Sequence, residues 1–145
     1  MEWNAGLVAL LSGLLAQAGK VAWEAAAHRR WRPWLFFANG GMPSSHAATV
    51  TTLALLVRRA DGAGSAQFSL ALVFGVFVLF EATGLRQEMG KQARLLNELR
   101  EALHDGRRLP GAPLRELVGH TWGEVGGGVA WGIGGYYLLR GLSGS

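Results

Sequence analysis

Cysteine is absent from the 145-residue chain. Disulfides and thiolate metal sites are therefore excluded. No HExxH-type pair occurs. No segment is a clean run of about 18 apolar residues, so none is a transmembrane helix on its own strength. Aromatic residues do not interleave with the basic ones as they do in single-strand binders, which argues against nucleic acid. There is no internal repeat and no low-complexity tail. The opening MEWNAGLVALL lacks the positive leader and cleavage site of a signal peptide. Its apolar run is expected to stay in the mature protein.

What is present is apolar and mildly basic. Hydrophobic residues make up 50% of the chain and the mean hydropathy is +0.19, both high for a soluble domain. The length suits a single domain over residues 1–145. Lys and Arg outnumber Asp and Glu by 14 to 10. That excess suits a phosphate ligand or an anionic membrane face.

Four apolar segments stand out: Ala5 to Ala27, Pro43 to about Val57, Ala66 to Leu85, and Thr121 to Leu142. Their polar residues fall near one end of each, where an interface or a function can hold them. The fourth segment carries Gly126, Gly127, Gly128, Gly132, Gly134 and Gly135. Such glycines cost helix stability in water but let membrane helices approach closely. Gly128 and Gly132 form one small-xxx-small pair, and the interleaved Val125, Val129, Trp131, Ile133, Tyr136 and Tyr137 argue against a flexible loop. Between the third and fourth segments, Gln87 to His104 reads as an amphipathic helix that lies on the membrane or folds over a site. DGRRLPGAP, from Asp105, is a turn-rich break. The expected fold is all-α: an integral membrane bundle of about four transmembrane helices plus an amphipathic helix. A soluble four-helix bundle is the structural alternative.

Arg29, Arg30 and Arg32 follow the first segment, and Arg86, Lys91, Arg94, Arg100, Arg107, Arg108 and Arg115 follow the third. In a four-helix reading these loops share one side, which the positive-inside rule assigns to the cytoplasm, with both termini outside. The candidate chemistry lies on the same side. Pro43 fits the first turn of a helix, placing Ser44, Ser45 and His46 among free N–H groups at the positive end of its dipole. Arg86 ends the third segment, Lys20 lies toward that end of the first, and His120 and Glu124 open the fourth. A separation of four puts His120 and Glu124 on one helix face, where a carboxylate holds an imidazole in one tautomer. The alternatives are an ordinary surface pair, or a zinc site joining His46, His120 and a carboxylate. A cation-rich site favours an anion over a metal.

GGMPSSHAATV, EATGLRQEMGKQARLLNEL and LVGHTWGEVGGG, in that order, resemble the divergent PAP2 family. That family is related to type 2 phosphatidic acid phosphatases and vanadium-dependent haloperoxidases. In the wider superfamily the pattern is a lysine and an arginine, then PSGH, then an arginine followed by HxxxD. Ser44, Ser45 and His46 match the second element, and His120 and Glu124 the last, with glutamate in place of aspartate. The resemblance implies that His120 attacks phosphorus, oriented by Glu124, while His46 protonates the leaving alcohol. Ser44 and Ser45 would cradle the phosphoryl oxygens. Lys20 and Arg86 would neutralise charge, with Arg30 and Arg32 as competitors for the lysine's place. The arginine element is displaced: Arg86 is 34 residues before His120, and Arg115, five residues before it, is a further expected phosphate-binding residue.

The implied function is an integral membrane phosphatase that hydrolyses a lipid phosphomonoester or isoprenoid (di)phosphate through a phosphohistidine, without metal or other cofactor. Its expected partners are the lipid bilayer and a membrane lipid phosphate, in a bacterial inner membrane, with no nucleic acid and with self-association left open. The alternatives are a catalytically silent phospholipid-binding or transport protein, and a vanadate-dependent haloperoxidase.

Overall fold

The computed structural model describes residues 4–38, 40–102, 114 and 119–142. They form α1 (Ala5–His28), a 3-10 helix (Pro33–Phe37), α2 (Ser45–Asp61), α3 (Ala66–Thr83), α4 (Leu85–Ala102) and α5 (Trp122–Leu142). Among the described residues there is no strand. Each of the first three α-helices starts on a side-chain cap. Asn4 accepts from the Leu7 N–H, Ser44 from Ala47 and Ser65 from Phe68. These caps meet donors that a bilayer cannot solvate. Pro43 precedes the Ser44 cap and so lies outside the first helical turn, and the helix starts at Ser45, two residues later than the sequence suggests. The 3-10 helix was not foreseen in HRRWRPW. Gly84 separates α3 from α4 with little interruption, its N–H bonding the Phe80 carbonyl at 2.7 Å.

The packing is the reverse of a water-soluble core. Leu7, Leu10, Leu11, Leu14 and Leu15 on α1 are exposed, as are Leu70, Phe74, Phe77 and Phe80 on α3. The buried residues are small or polar: Ala9, Ser12, Ala16, Ala47, Ala48 and Thr52. Apolar side chains gain nothing by leaving lipid tails, so membrane helices bury small residues that allow close backbone approach.

Helix α2 is the hub, packed against α1, α3 and α5. Each neighbour meets it through glycine. A Cβ on Gly13 of α1 would overlap the Thr49 hydroxyl and lie 3.4 Å from the Ser45 carbonyl. One on Gly75 of α3 would lie 3.5 Å from Val50. On α5, a Cβ at Gly128 would come within 2.7 Å of the Ala47 Cβ, and one at Gly132 within 2.8 Å of the Ala48 carbonyl. The Gly128–Gly132 pair is thus the α2–α5 contact that its spacing implied. Thr52 adds a polar clasp, donating to Ser12 Oγ at 2.9 Å and lying 3.4 Å from the Gly132 carbonyl.

Two stretches are long and apolar enough to cross a membrane: Ala5–His28, and the 36 residues Ala66–Glu101. Helix α2 falls short of that standard because its neighbours, rather than lipid, surround it. The chain is therefore an all-helical membrane bundle of α1, α2, α3 and α5. The amphipathic α4 leads off α3, its one helix neighbour among the described elements.

Candidate functional site

The site is assembled at the end of the bundle where α1 finishes, α2 starts, α3 gives way to α4, and α5 starts. Thr121 and Glu124 open α5 with a reciprocal capping box. The Glu124 N–H donates to Thr121 Oγ1 at 3.3 Å, and the Thr121 N–H donates to Glu124 Oε2 at 3.1 Å. The same carboxylate oxygen lies 3.1 Å from His120 Nδ1. An ionised carboxylate accepts only, so Nδ1 carries the proton and the His120 Nε2 lone pair is left free.

Gly119, at φ +91°, turns the chain into this position. A Cβ there would lie 2.6 Å from the Gln87 nitrogen, so the backbone runs directly over the α3–α4 junction. The His120 N–H then donates to the Ala82 carbonyl at 2.9 Å. His120 is 2% exposed.

The start of α2 is tied to the same place, because the Ser44 N–H donates to the Glu124 carbonyl at 3.0 Å. Ser44 is fully buried, and its Oγ accepts the Ala47 N–H at 3.3 Å. His46 stands edge-on to His120, with ring centroids 5.7 Å apart. The charged or chargeable groups acting on His46 are His120, Arg86, Glu81 and Lys20. Among the described residues, the buried side-chain polar atoms without a hydrogen-bond partner are His120 Nε2, His46 Nδ1 and Gln17 Oε1.

Lys20 is 2% exposed, and its Nζ donates to the Ala38 carbonyl at 3.1 Å. Gly41, at φ +93°, lets the chain pass over the lysine stem, where a Cβ would lie 3.2 Å from Lys20 Cδ. Arg32, a competitor for the lysine's place, lies 3.5 Å from Glu24 instead. Arg86 Nε donates to Glu81 Oε1 at 2.8 Å across Gly84. The sequence reading found no role for Glu81. Its one signal was a carboxylate five residues before the arginine, at the last turn of an apolar helix.

The structure therefore brings Lys20, Ser44, His46, Arg86, His120 and Glu124 to one end. Ser45 opens α2 on the side facing α1, its carbonyl beside Gly13. Arg115, Leu103 and His104 lie outside the described residues. No group of three or more His, Cys, Asp or Glu that could hold a metal occurs among the described residues.

The divergent PAP2 family matches residues 3–134. The chain belongs to the divergent PAP2 family. It is also 34% identical over 130 residues to the "Uncharacterized membrane protein YuiD" of Bacillus subtilis (strain 168), covering 82% of each chain. No solved structure matches it.

In this divergent PAP2 protein, one Glu124 carboxylate oxygen both closes the α5 capping box and reaches His120 Nδ1. The arrangement offers an oriented imidazole with a free ring nitrogen, a second imidazole facing it, and two cations. Nucleophilic attack with acid assistance on an anionic centre is the chemistry these groups can perform.

Proposed function

We propose that this protein is an integral membrane lipid phosphatase acting through a phosphohistidine. One observation carries the reading: His120 is fixed through Nδ1 by Glu124, its buried Nε2 has no protein partner, and the His46 ring stands edge-on with its centroid 5.7 Å away. In the first step Nε2 attacks phosphorus, and the bond from phosphorus to the lipid oxygen breaks. His46 gives its proton to that oxygen, releasing the lipid alcohol. Water then attacks the phosphohistidine, His46 takes up the water's proton, and inorganic phosphate leaves with His120 restored. Lys20 and Arg86 offset the negative charge spread over the equatorial oxygens. Glu124 stabilises the positive charge that His120 acquires.

A lipid phosphate suits the depth of the site. Trp31, Trp34 and Trp122 are exposed at the same end of the bundle, as aromatic residues are at membrane–water interfaces. A phosphate head can reach the histidines there while its tail remains in lipid. The arginine excess at this end favours the cytoplasmic face.

The test is phosphate release by purified protein in detergent over a panel of lipid phosphates, with EDTA present and beside His120→Ala. Release is expected to survive EDTA and to fall by about 10³-fold or more in the variant, the scale of losing a nucleophile. Release that EDTA abolishes would assign the chemistry to a metal. No release from any substrate, with lipid phosphate still bound, would make the protein a binding or transport module.

A further inference from the structure

Glu81 is the sole ionisable side chain of α3, an otherwise apolar helix. Ionisable groups in such segments are costly and mark sites rather than packing. Its partner is Arg86, whose Nε donates to Glu81 Oε1 at 2.8 Å. The arginine and glutamate side chains are 30% and 44% exposed, and an ion pair with that exposure adds little to folding. Its value lies in what it holds.

The pair holds the first turn of α4 beside His120. That turn is tied to α3 by the Gly84 N–H on the Phe80 carbonyl and by the Glu88 N–H on the Gly84 carbonyl at 3.1 Å. A Cβ on Gly119 would lie 3.1 Å from the Arg86 Cβ, so the arginine stem starts against the residue that precedes His120. The His120 N–H bonds the carbonyl of Ala82, the residue after Glu81. Arg86 and Glu81 both act on His46. The pair therefore stands where α3, α4 and the start of α5 meet, at the histidine end of the bundle. By contrast, Glu88 and Lys91 form a second ion pair on α4 at 2.6 Å, and neither is among the groups acting on His46.

A guanidinium is a planar fork of five N–H donors on a flexible stem. Among the described residues, the hydrogen bond that Arg86 makes is the one from Nε to Glu81. A carboxylate on Nε fixes one edge of the plane and leaves the Nη groups as donors. Such a fork matches two oxygens of a phosphoryl group. A donor set in place beforehand needs no reorganisation as charge develops.

We propose that Glu81 is a positioning residue that fixes Arg86 through Nε, so that its Nη groups grip the transferring phosphoryl group. This inference rests on the phosphatase reading and adds a residue to its machinery.

The experiment is a double-mutant cycle in detergent. For each variant, kcat and KM are measured on whichever of a diacylglycerol phosphate and farnesyl monophosphate turns over faster, together with the melting temperature. Glu81→Gln is expected to lower kcat about 10- to 100-fold, the scale of misplacing a catalytic group, with KM changed by less than about threefold. Arg86→Ala should lower kcat by about 10²–10³-fold, the scale of losing a transition-state donor. The double variant should match Arg86→Ala to within about twofold, because Glu81 then has nothing to hold. Glu88→Gln is the control for an ion pair outside the site and should leave kcat and KM unchanged. The melting temperature should move no further in Glu81→Gln than in Glu88→Gln. Glu81→Asp takes its place in the cycle should Glu81→Gln fail to fold. Losses that multiply in the double variant would overturn the assignment. So would a lowered melting temperature with kcat intact. If the wild type binds one of the two lipids yet releases no phosphate, the phosphatase reading fails and the cycle is read in Kd by native mass spectrometry. Weaker binding in Glu81→Gln that disappears in the Arg86→Ala background keeps the positioning role, and an unchanged Kd ends it. If the wild type binds neither lipid, both fail.

Discussion

Helices α2 and α3 run side by side and follow opposite rules. Helix α2 carries alanine, threonine and serine and is surrounded by protein. Helix α3 is dominated by Phe, Leu and Val and leaves most of them exposed. In water the phenylalanine-rich helix would be the core and the threonine-rich one the surface. Their exchange of places shows that the solvent on the outside is hydrocarbon. It also explains why the histidine of PSSH sits on the less apolar helix. The central position is the one place in the bundle where polar groups can be surrounded by partners.

The comparison is broken most severely by forcing α2 away from a neighbour. Gly132→Leu puts a branched side chain where even a Cβ would meet the Ala48 carbonyl at 2.8 Å and the Thr51 Cβ at 2.9 Å. It is expected to cost about 3 kcal/mol or more by overpacking, read as a lowered melting temperature in detergent. Gly134→Leu, two residues along the same helix, meets nothing within 4 Å and should be tolerated. Equal behaviour of the two would mean that α5 does not pack on α2 through this face.

A smaller effect is expected at the polar clasp. Thr52→Val keeps the shape of the side chain and removes the bonds to Ser12 and the Gly132 carbonyl. The loss should be about 0.6 kcal/mol, the average for interhelical hydrogen bonds in a membrane protein. Double-mutant analysis with Ser12→Ala would isolate it. A zero coupling would place the inter-helix stability in the glycine contacts alone.

Much of this was legible in the sequence because the signals were local. The four apolar segments match α1, α2, α3 and α5 to within a few residues, since lipid-facing side chains have no reason to deviate from apolar. The Gly128–Gly132 spacing pointed to a close helix contact, and the polar ends of the segments pointed to one shared end. What escaped notice depends on tertiary geometry. Ser44 becomes the cap, with Pro43 outside the helix, because its N–H is claimed by the Glu124 carbonyl, 80 residues away. The Arg86–Glu81 pair needs the α3–α4 helix to continue through Gly84, where a glycine ordinarily suggests a stop.

The smallest effect belongs to α3. Phe77 is 70% exposed, and no role in the site falls to it. Phe77→Leu exchanges one apolar surface for another against lipid tails, and the melting temperature in detergent should move by less than the Thr52→Val shift. The same substitution in a soluble bundle's core would leave a void and cost about 1 kcal/mol or more. A large loss here would mean that another protein surface, and not lipid, covers this face of α3. The contrast between the two helices would then describe an assembly of several chains. A negligible loss, beside a collapse in Gly132→Leu, would show that the bundle is held together from its centre, where small residues let the backbones touch.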